Sequence, residues 1–323
     1  MNWENKIFQN HSPNSFENLA LDIFKFQAQT NGVYKRYLSF LSINPMQINR
    51  TKDIPFLPIE LYKHQDVICE PNNRELVFTS SGTGGTPSKH IVHDVTIYEQ
   101  SFTKGFETFY GNINDYTILA LLPSYMERSG SSLIYMCKKL IALSKNKESG
   151  FYLNEHKKLF KLLVKLEKEK RKTLLIGVSF ALLDFAEKYA PELKNTIVME
   201  TGGMKGRREE MVREQLHAIL RSHFNVLKIH SEYGMTELLS QAYSKGDGIF
   251  ECPPWMQVSF RDSNDPLSSN KKGGGINVID LANVNSCSFI ASQDLGKPIN
   301  NGRFKVIGRF DESDVRGCNL MVV

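Results

Sequence analysis

Cysteine is scarce and scattered in this chain of 323 residues. Its five cysteines, Cys69, Cys137, Cys252, Cys287 and Cys318, are odd in number and never form a C-x-x-C pair. That disfavours both a disulfide framework and a zinc site, and it fits a reducing compartment. Long apolar runs are missing too. The longest, around residues 174–185, is interrupted by Gly177, Ser179 and Asp184. It falls well short of the ~18–20 residues that a membrane span requires. No apolar segment follows a basic start at the N-terminus, so no signal peptide is read there. There is no internal repeat and no low-complexity tract. Charge of one sign is also lacking: 40 Lys and Arg against 35 Asp and Glu leave +5, much of it in 157–172. Such a small excess does not imply nucleic acid as a partner. These absences point to a cytoplasmic chain without stable membrane insertion.

What is present is an ordinary globular composition, 41% hydrophobic and 23% charged, which argues against long disorder. The length suits either two domains or one large α/β domain. Apolar residues spaced by three or four predict a helix over 15–42, where Phe16, Leu19, Ile23 and Phe26 share a face. Further helices are expected over 96–109, 131–144, 154–172, 181–189 and 207–222. Short runs of apolar and β-branched residues predict strands at 75–79, 116–122, 173–178, 196–200 and 226–230. Strands alternating with helices predict a mostly parallel sheet covered on both faces. From about Gly248 the texture changes to short β-type runs separated by Asn, Asp and Gly. A smaller antiparallel β subdomain is therefore expected over 249–307.

Three stretches carry chemistry. The loop Ser80–Lys89 holds three glycines and five hydroxyl residues directly after a strand. Glycines let backbone N–H groups approach oxyanions, hydroxyls donate further hydrogen bonds, and Lys89 adds a point charge, as a phosphate cradle requires. Lys89 lacks the G-K-[ST] frame of a Walker loop. Pro87 stands where a dinucleotide fingerprint needs its third glycine. The second stretch, Ser231-Glu232-Tyr233-Gly234-Met235-Thr236-Glu237, follows the strand predicted to end at His230. Residues just past the carboxyl end of a parallel strand line the ligand crevice of such sheets. A tyrosine ring, a hydroxyl and a carboxylate there suit base stacking, phosphate contact and Mg²⁺. The same residues could simply cap a helix. The third stretch pairs Asp294, in Gln293-Asp294-Leu295-Gly296-Lys297, with Arg309, in Gly308-Arg309-Phe310-Asp311. Read alone, these are ordinary turn and surface residues.

The order of these stretches resembles the adenylate-forming superfamily over about three quarters of the chain, from Thr79 to Asp311. Within it the chain is most similar to the acyl-protein synthetases of the bacterial luminescence fatty-acid reductase. That likeness rests on IPFLPIEL at 54–61, PSKH at 87–90, LPSYMERSGSSL at 122–133 and TGGMKG at 201–206. The resemblance implies an α/β fold with an adenylate-forming core over 1–307. It implies a short tail over 308–323 where relatives begin a second, small domain, which is absent or vestigial here.

The resemblance also implies roles. Ser80, Ser81, Gly82, Thr83, Gly84, Gly85 and Lys89 would cradle the phosphates of ATP. Gly202 and Gly203 would lie along the adenine, with Tyr233 stacked on it and Gly234 beside it. Thr236 would touch the α-phosphate, Glu237 would hold Mg²⁺, and Asp294 and Arg309 would take the ribose. Most relatives supply a lysine from the small domain. Only 12 residues follow Asp311, so Lys205 or Lys89 is expected to provide that charge. Cys318 would accept the acyl group as a thioester, since a thiolate is a strong nucleophile towards a mixed anhydride. The remaining cysteines read as core residues, His90 and His93 as members of a strand face, and the lysines of 157–172 as a solvated helix face.

Three activities stay open at this point. The first is an ATP-dependent synthetase that activates a fatty or other carboxylic acid and acylates its own cysteine, delivering to an acyl reductase, acyltransferase or carrier protein. The second is a ligase forming acyl-CoA or loading a carrier protein. The third is a nucleotide- or acyl-binding subunit weakened in catalysis.

Overall fold

The computed structural model describes residues 3–9, 12–70, 74–81, 85–123, 130–202, 211–263, 265 and 267–310. The chain opens with helices α1 (Glu4–Ile7), α2 (Pro13–Thr30) and α3 (Gly32–Phe40). Ser12 caps α2 by accepting from the Ser15 N–H, and Phe16, Leu19, Ile23 and Phe24 turn into the core. The single helix predicted over 15–42 is in fact two. Asn31 adopts an extended backbone, and its side chain accepts from the N–H groups of both Val33 and Tyr34, so the apolar spacing continues while the helix restarts.

Strand β1 (Leu57–Pro58) and helix α4 (Leu61–His64) follow, then the hairpin of β2 (Leu76–Thr79) and β3 (Lys89–Val92), which forms its own two-stranded sheet. The next stretch alternates: α5 (Val95–Tyr110), β4 (Thr117–Leu121), α6 (Ser132–Leu143), β5 (Gly150–Phe151), α7 (His156–Lys168), β6 (Thr173–Val178), α8 (Ser179–Tyr189), β7 (Thr196–Thr201), α9 (Arg213–Phe224) and β8 (His230–Tyr233). Strands β5, β4, β6, β7 and β8 pair in parallel. Residues of β4 and β6 are buried along their whole length, as the continuous apolar runs TILAL and TLLIGV require of strands covered on both faces.

Beyond β8 the direction of pairing changes. Strands β9 (Ala242–Ser244), β10 (Phe250–Glu251), β11 (Met256–Arg261), β12 (Gly274–Asp280), β13 (Phe289–Pro298) and β14 (Phe304–Arg309) pair antiparallel. The antiparallel strands expected over 249–307 are present, but they extend one continuous twelve-stranded sheet with the parallel strands, and β14 runs on through Arg309. β1 adds in parallel to β13. Among the described residues no helix is long and apolar enough to cross a membrane.

The α2–α3 junction is tied to the far end of the chain. Fully buried Asn31 donates to the Ser286 carbonyl, and Gln27 donates to the carbonyls of Asn283 and Val284. Asn31→Ala removes a helix cap and leaves a buried carbonyl unsatisfied. It is expected to lower unfolding free energy by about 2 kcal/mol, read as a fall in urea midpoint without a change in slope.

Candidate active site

A cleft of about 1090 Å³ opens at the carboxyl ends of β7 and β8, where the sheet passes from parallel to antiparallel pairing. The predicted strand over 226–230 is displaced. Leu227 is 92% exposed, and the strand is instead His230–Tyr233, so Ser231, Glu232 and Tyr233 belong to it and only Gly234–Glu237 form the loop.

Successive residues of β8 point to opposite faces. Tyr233 turns towards the antiparallel strands, edge-on to Phe250 and Phe304, and its hydroxyl donates to Asp294 Oδ2 at 2.8 Å. Asp294 in β13 lies opposite Arg309 in β14, and their side chains approach to 3.9 Å. Burial raises the Asp294 carboxyl, opposed by the Tyr233 hydroxyl and by Arg309. The chain thus brings Tyr233, Asp294 and Arg309, far apart in sequence, to one wall.

Thr236 and Glu237 form the rim between that wall and the β2–β3 hairpin. The hairpin is closed by the Ser88 N–H donating to Ser80 Oγ at 2.9 Å and by the Ser80 N–H donating to the Ser88 carbonyl at 3.1 Å. His90 on β3 is buried, and its Nδ1 lies 2.9 Å from the Thr236 carbonyl. Burial pushes the imidazole down to about 4, so it is neutral and Nδ1–H donates to that carbonyl. This strand-face role is the one expected of His90. Glu237 is buried beside Ser88, and burial raises its carboxyl.

Ser80, Ser81, Gly85, Gly202, Tyr233, Gly234, Thr236, Glu237, Asp294 and Arg309 all line the cleft. Lys89 is exposed on β3 and is not among the lining residues; Lys63, Arg213 and Arg309 are the lining cations among the described residues. Gly82, Thr83, Gly84, Gly203, Lys205 and Cys318 lie outside the described residues. Two glycines have direct physical reasons. Gly202 has φ +67, a conformation side chains rarely adopt, and a Cβ on Gly234 would come within 2.5 Å of Glu232 Oε1.

Several cleft residues were not singled out from the sequence. Glu200, at the end of the apolar run TIVME, accepts from Arg213 Nε at 3.0 Å and faces His217 Nε2 at 3.4 Å. Burial alone would raise Glu200, but His217 and the Arg213 charge outweigh it and hold the carboxyl below its usual range. Arg213 also donates to the Val306 carbonyl at 3.0 Å, so it is fixed at the cleft edge. Asp280, fully buried, accepts from the Leu239 and Ser240 N–H groups and from Ser240 Oγ, which fastens the loop after Glu237. A carboxylate inside an otherwise apolar run was the available signal for Glu200 and Asp280. Among the described residues no group of three or more His, Cys, Asp or Glu could hold a metal ion by itself. Glu237, a rim carboxylate beside the Ser88 hydroxyl, is of the kind that meets Mg²⁺, an ion that keeps most of its waters and binds through one or two carboxylates together with substrate phosphates.

A large sheet changing from parallel to antiparallel strands, with flanking helices, matches the fold of the large N-terminal domain of adenylate-forming ligases. The 2-hydroxyisobutyryl-CoA ligase, in an open conformation with 2-HIB-AMP and CoA, matches with TM-score 0.69 at 13% identity, over 93% of this chain and 70% of that one. ATP-bound MatB from Rhodopseudomonas palustris matches with TM-score 0.56 at 14% identity, over 75% of this chain and 49% of that one. The amide bond synthetase McbA from Marinactinospora thermotolerans matches with TM-score 0.52 at 16% identity, over 74% and 50%. A comparison with curated protein sequences finds no match. The model of the family "Acyl-protein synthetase, LuxE" matches residues 7–323, and the chain belongs to that family. As a member of that family it is an acid–thiol ligase.

Glu232 gives the cleft a testable pH signature. Desolvation pushes its carboxyl from 4.5 up to about 7, with Glu200 adding to the rise and the Thr201 hydroxyl opposing it. Between those values the folded chain keeps a proton that the unfolded chain has lost, so this group's contribution to stability falls as pH rises from about 4.5 to 7. Glu232→Gln should remove that decline. Relative to the wild type it is expected to gain about 2–3 kcal/mol between pH 5 and pH 8, read from urea unfolding at both.

Proposed function

We propose that this cleft joins a fatty or other carboxylic acid to AMP and that the acyl group then passes to Cys318 of the same chain. A carboxylate oxygen attacks the α-phosphorus of ATP, a new O–P bond forms, and the bond to the bridging oxygen breaks to release pyrophosphate. The Cys318 thiolate, having lost its proton to solvent, attacks the acyl carbon, and AMP leaves. The resulting thioester remains activated for delivery to an acyl reductase, acyltransferase or carrier protein.

The observation that carries the reading is the convergence of Tyr233, Asp294 and Arg309 on one wall and Thr236 and Glu237 on the adjoining rim. Asp294 supplies an acceptor for ribose hydroxyls, and Arg309 and Arg213 supply positive charge. Tyr233 and Gly202 form the surface for the adenine, with Gly203 and Gly234 next to them. Ser80, Ser81, Gly82, Thr83, Gly84 and Gly85 hold the phosphates. Thr236 donates to the α-phosphate, and Lys205 offsets charge developing there, a part that Lys89, exposed and outside the cleft lining, is not placed to take. Glu237 is the residue that would hold Mg²⁺, which supplies neutralisation of phosphate charge when bound.

The choice of Cys318 is supported by the state of the other thiols. Cys69, Cys137 and Cys287 are buried and Cys252 is partly so. Burial raises all four, Cys69 to about 11 and Cys252 to about 12, which leaves little thiolate at neutral pH.

Incubation with ATP, Mg²⁺ and a labelled long-chain acid should leave hydroxylamine-labile label on the wild-type protein and none on Cys318→Ser. Label surviving in that variant would sink the acceptor assignment. Release of AMP that depends on coenzyme A, without labelled protein, would assign the chain to acyl-CoA formation instead. Lys205→Ala is expected to slow adenylation about hundredfold, the usual scale for loss of one transition-state charge donor; an unchanged rate would remove Lys205 from the mechanism.

A further inference from the structure

The cleft has a second arm, on the face of the sheet opposite Tyr233, and its chemistry is not that of a plain hydrocarbon pocket. Glu232 points into this arm. Its neighbour across the pairing with β9 is Tyr243, which packs on Phe109 and Tyr110 of α5, so Glu232 faces the α5 side. The arm is lined by Tyr98 of α5, by Ser132 and Met136 of α6, and by Thr201, Glu232 and Gln241. With the nucleotide placed against Tyr233, Asp294 and Arg309, this arm is the space left for the tail of the acid.

Glu232 is only 8% exposed, and that remaining exposure is to the cleft. The Thr201 hydroxyl donates to Oε2, while Oε1 rests beside Gly234, itself a lining residue of the cleft. The charged neighbour that shifts it is Glu200, whose own partners are Arg213 and His217, so Glu232 has no cation in compensation among the described residues. A desolvated carboxyl carries a penalty that an apolar tail would increase, by taking away the last water without replacing its hydrogen bond. A tail bearing a hydroxyl or amino group would replace it. Sites built to bond such a group discriminate strongly against the analogue lacking it, because the buried polar partner is then left unmatched.

We propose that Glu232 selects the substrate, and that the acid this chain activates carries a hydrogen-bonding group on its tail, a hydroxyl or amino group able to pair with the Glu232 carboxyl, rather than an unbroken hydrocarbon chain. This rests on the reading of the cleft as an acid-adenylating site. Thr201 is the positioning residue, holding Oε2 so that Oε1 faces the incoming group.

The test is pyrophosphate release with pairs of acids of equal length, one plain and one carrying a hydroxyl or amino group at successive carbons. For the wild type, kcat/KM for the best substituted acid should exceed that for its plain partner by about tenfold or more. Glu232→Gln should keep most of that ratio, since the amide still accepts a hydrogen bond. Glu232→Leu should reverse it in favour of the plain acid, a change in ratio that a general loss of folding does not produce. A wild type that prefers the plain acid, or a ratio that Glu232→Leu leaves unmoved, overturns the selection. Failure of every acid to release pyrophosphate overturns the adenylation reading and the selection with it; release that is indifferent to substitution overturns the selection alone.

Discussion

The loop that carries Thr236 and Glu237 depends on one buried carboxylate. Asp280, at the end of β12, has no exposed surface and accepts three hydrogen bonds from Leu239 and Ser240. Burial pushes its carboxyl up to about 6, and the hydrogen bonds oppose that rise. Ser240 continues the network, since its hydroxyl lies 3.0 Å from that of Ser101 on α5 and 3.1 Å from the Trp255 indole nitrogen. One interaction therefore fastens the loop to α5 on one side and to the antiparallel strands on the other. Because His90 holds the Thr236 carbonyl from the β2–β3 hairpin, the hairpin is placed by the same network. Buried polar groups satisfied in this way fix a single arrangement of the rim.

The reversal of strand direction after β8 gives that arrangement its use. Strands β7 and β8 end at the cleft as parallel strands do, while β13 and β14, further along the same sheet beyond β9 and β10, present Asp294 and Arg309. Alternation along β8 then sends Tyr233 to one side and Glu232 to the other. A single four-residue strand thus separates the wall proposed for the nucleoside from the face proposed for the tail of the acid. Proximity of the two bound partners accounts for much of what such a site does, since fixing both converts a bimolecular encounter into a reaction within one complex.

The parallel half of the sheet was legible because strands buried on both faces read as unbroken apolar runs, as β4 and β6 do. The β8 strand was misplaced for the converse reason. Its sequence HSEY is polar, and what makes it a strand is pairing with β7 and β9, which leaves no mark on local composition. The preceding run, VLKI, looks more like a strand, yet Leu227 is exposed. Asn31 is a similar case, a cap hidden inside continuous helical spacing. Tyr233, Asp294, Arg309, Thr236 and Glu237 could be picked out because their order along the chain resembles a family. Arg213 and His217 could not, because their roles arise from contacts across the fold, while Glu200 and Asp280 left only the faint mark of a carboxylate inside an apolar run. The continuity of the sheet across the two halves has the same origin: β9 and β10 bridge them in segments too short to announce themselves.

The claim on which the rest stands is that the cleft couples ATP to a carboxylic acid through the Glu237 and Asp294 side chains. Exchange of labelled pyrophosphate into ATP measures that step without regard to the final acceptor. The wild-type protein should catalyse exchange only when an acid and Mg²⁺ are both present, and Glu237→Ala and Asp294→Ala should each reduce it about hundredfold. Exchange that needs no acid, or that persists at the wild-type rate in both variants, would contradict the account.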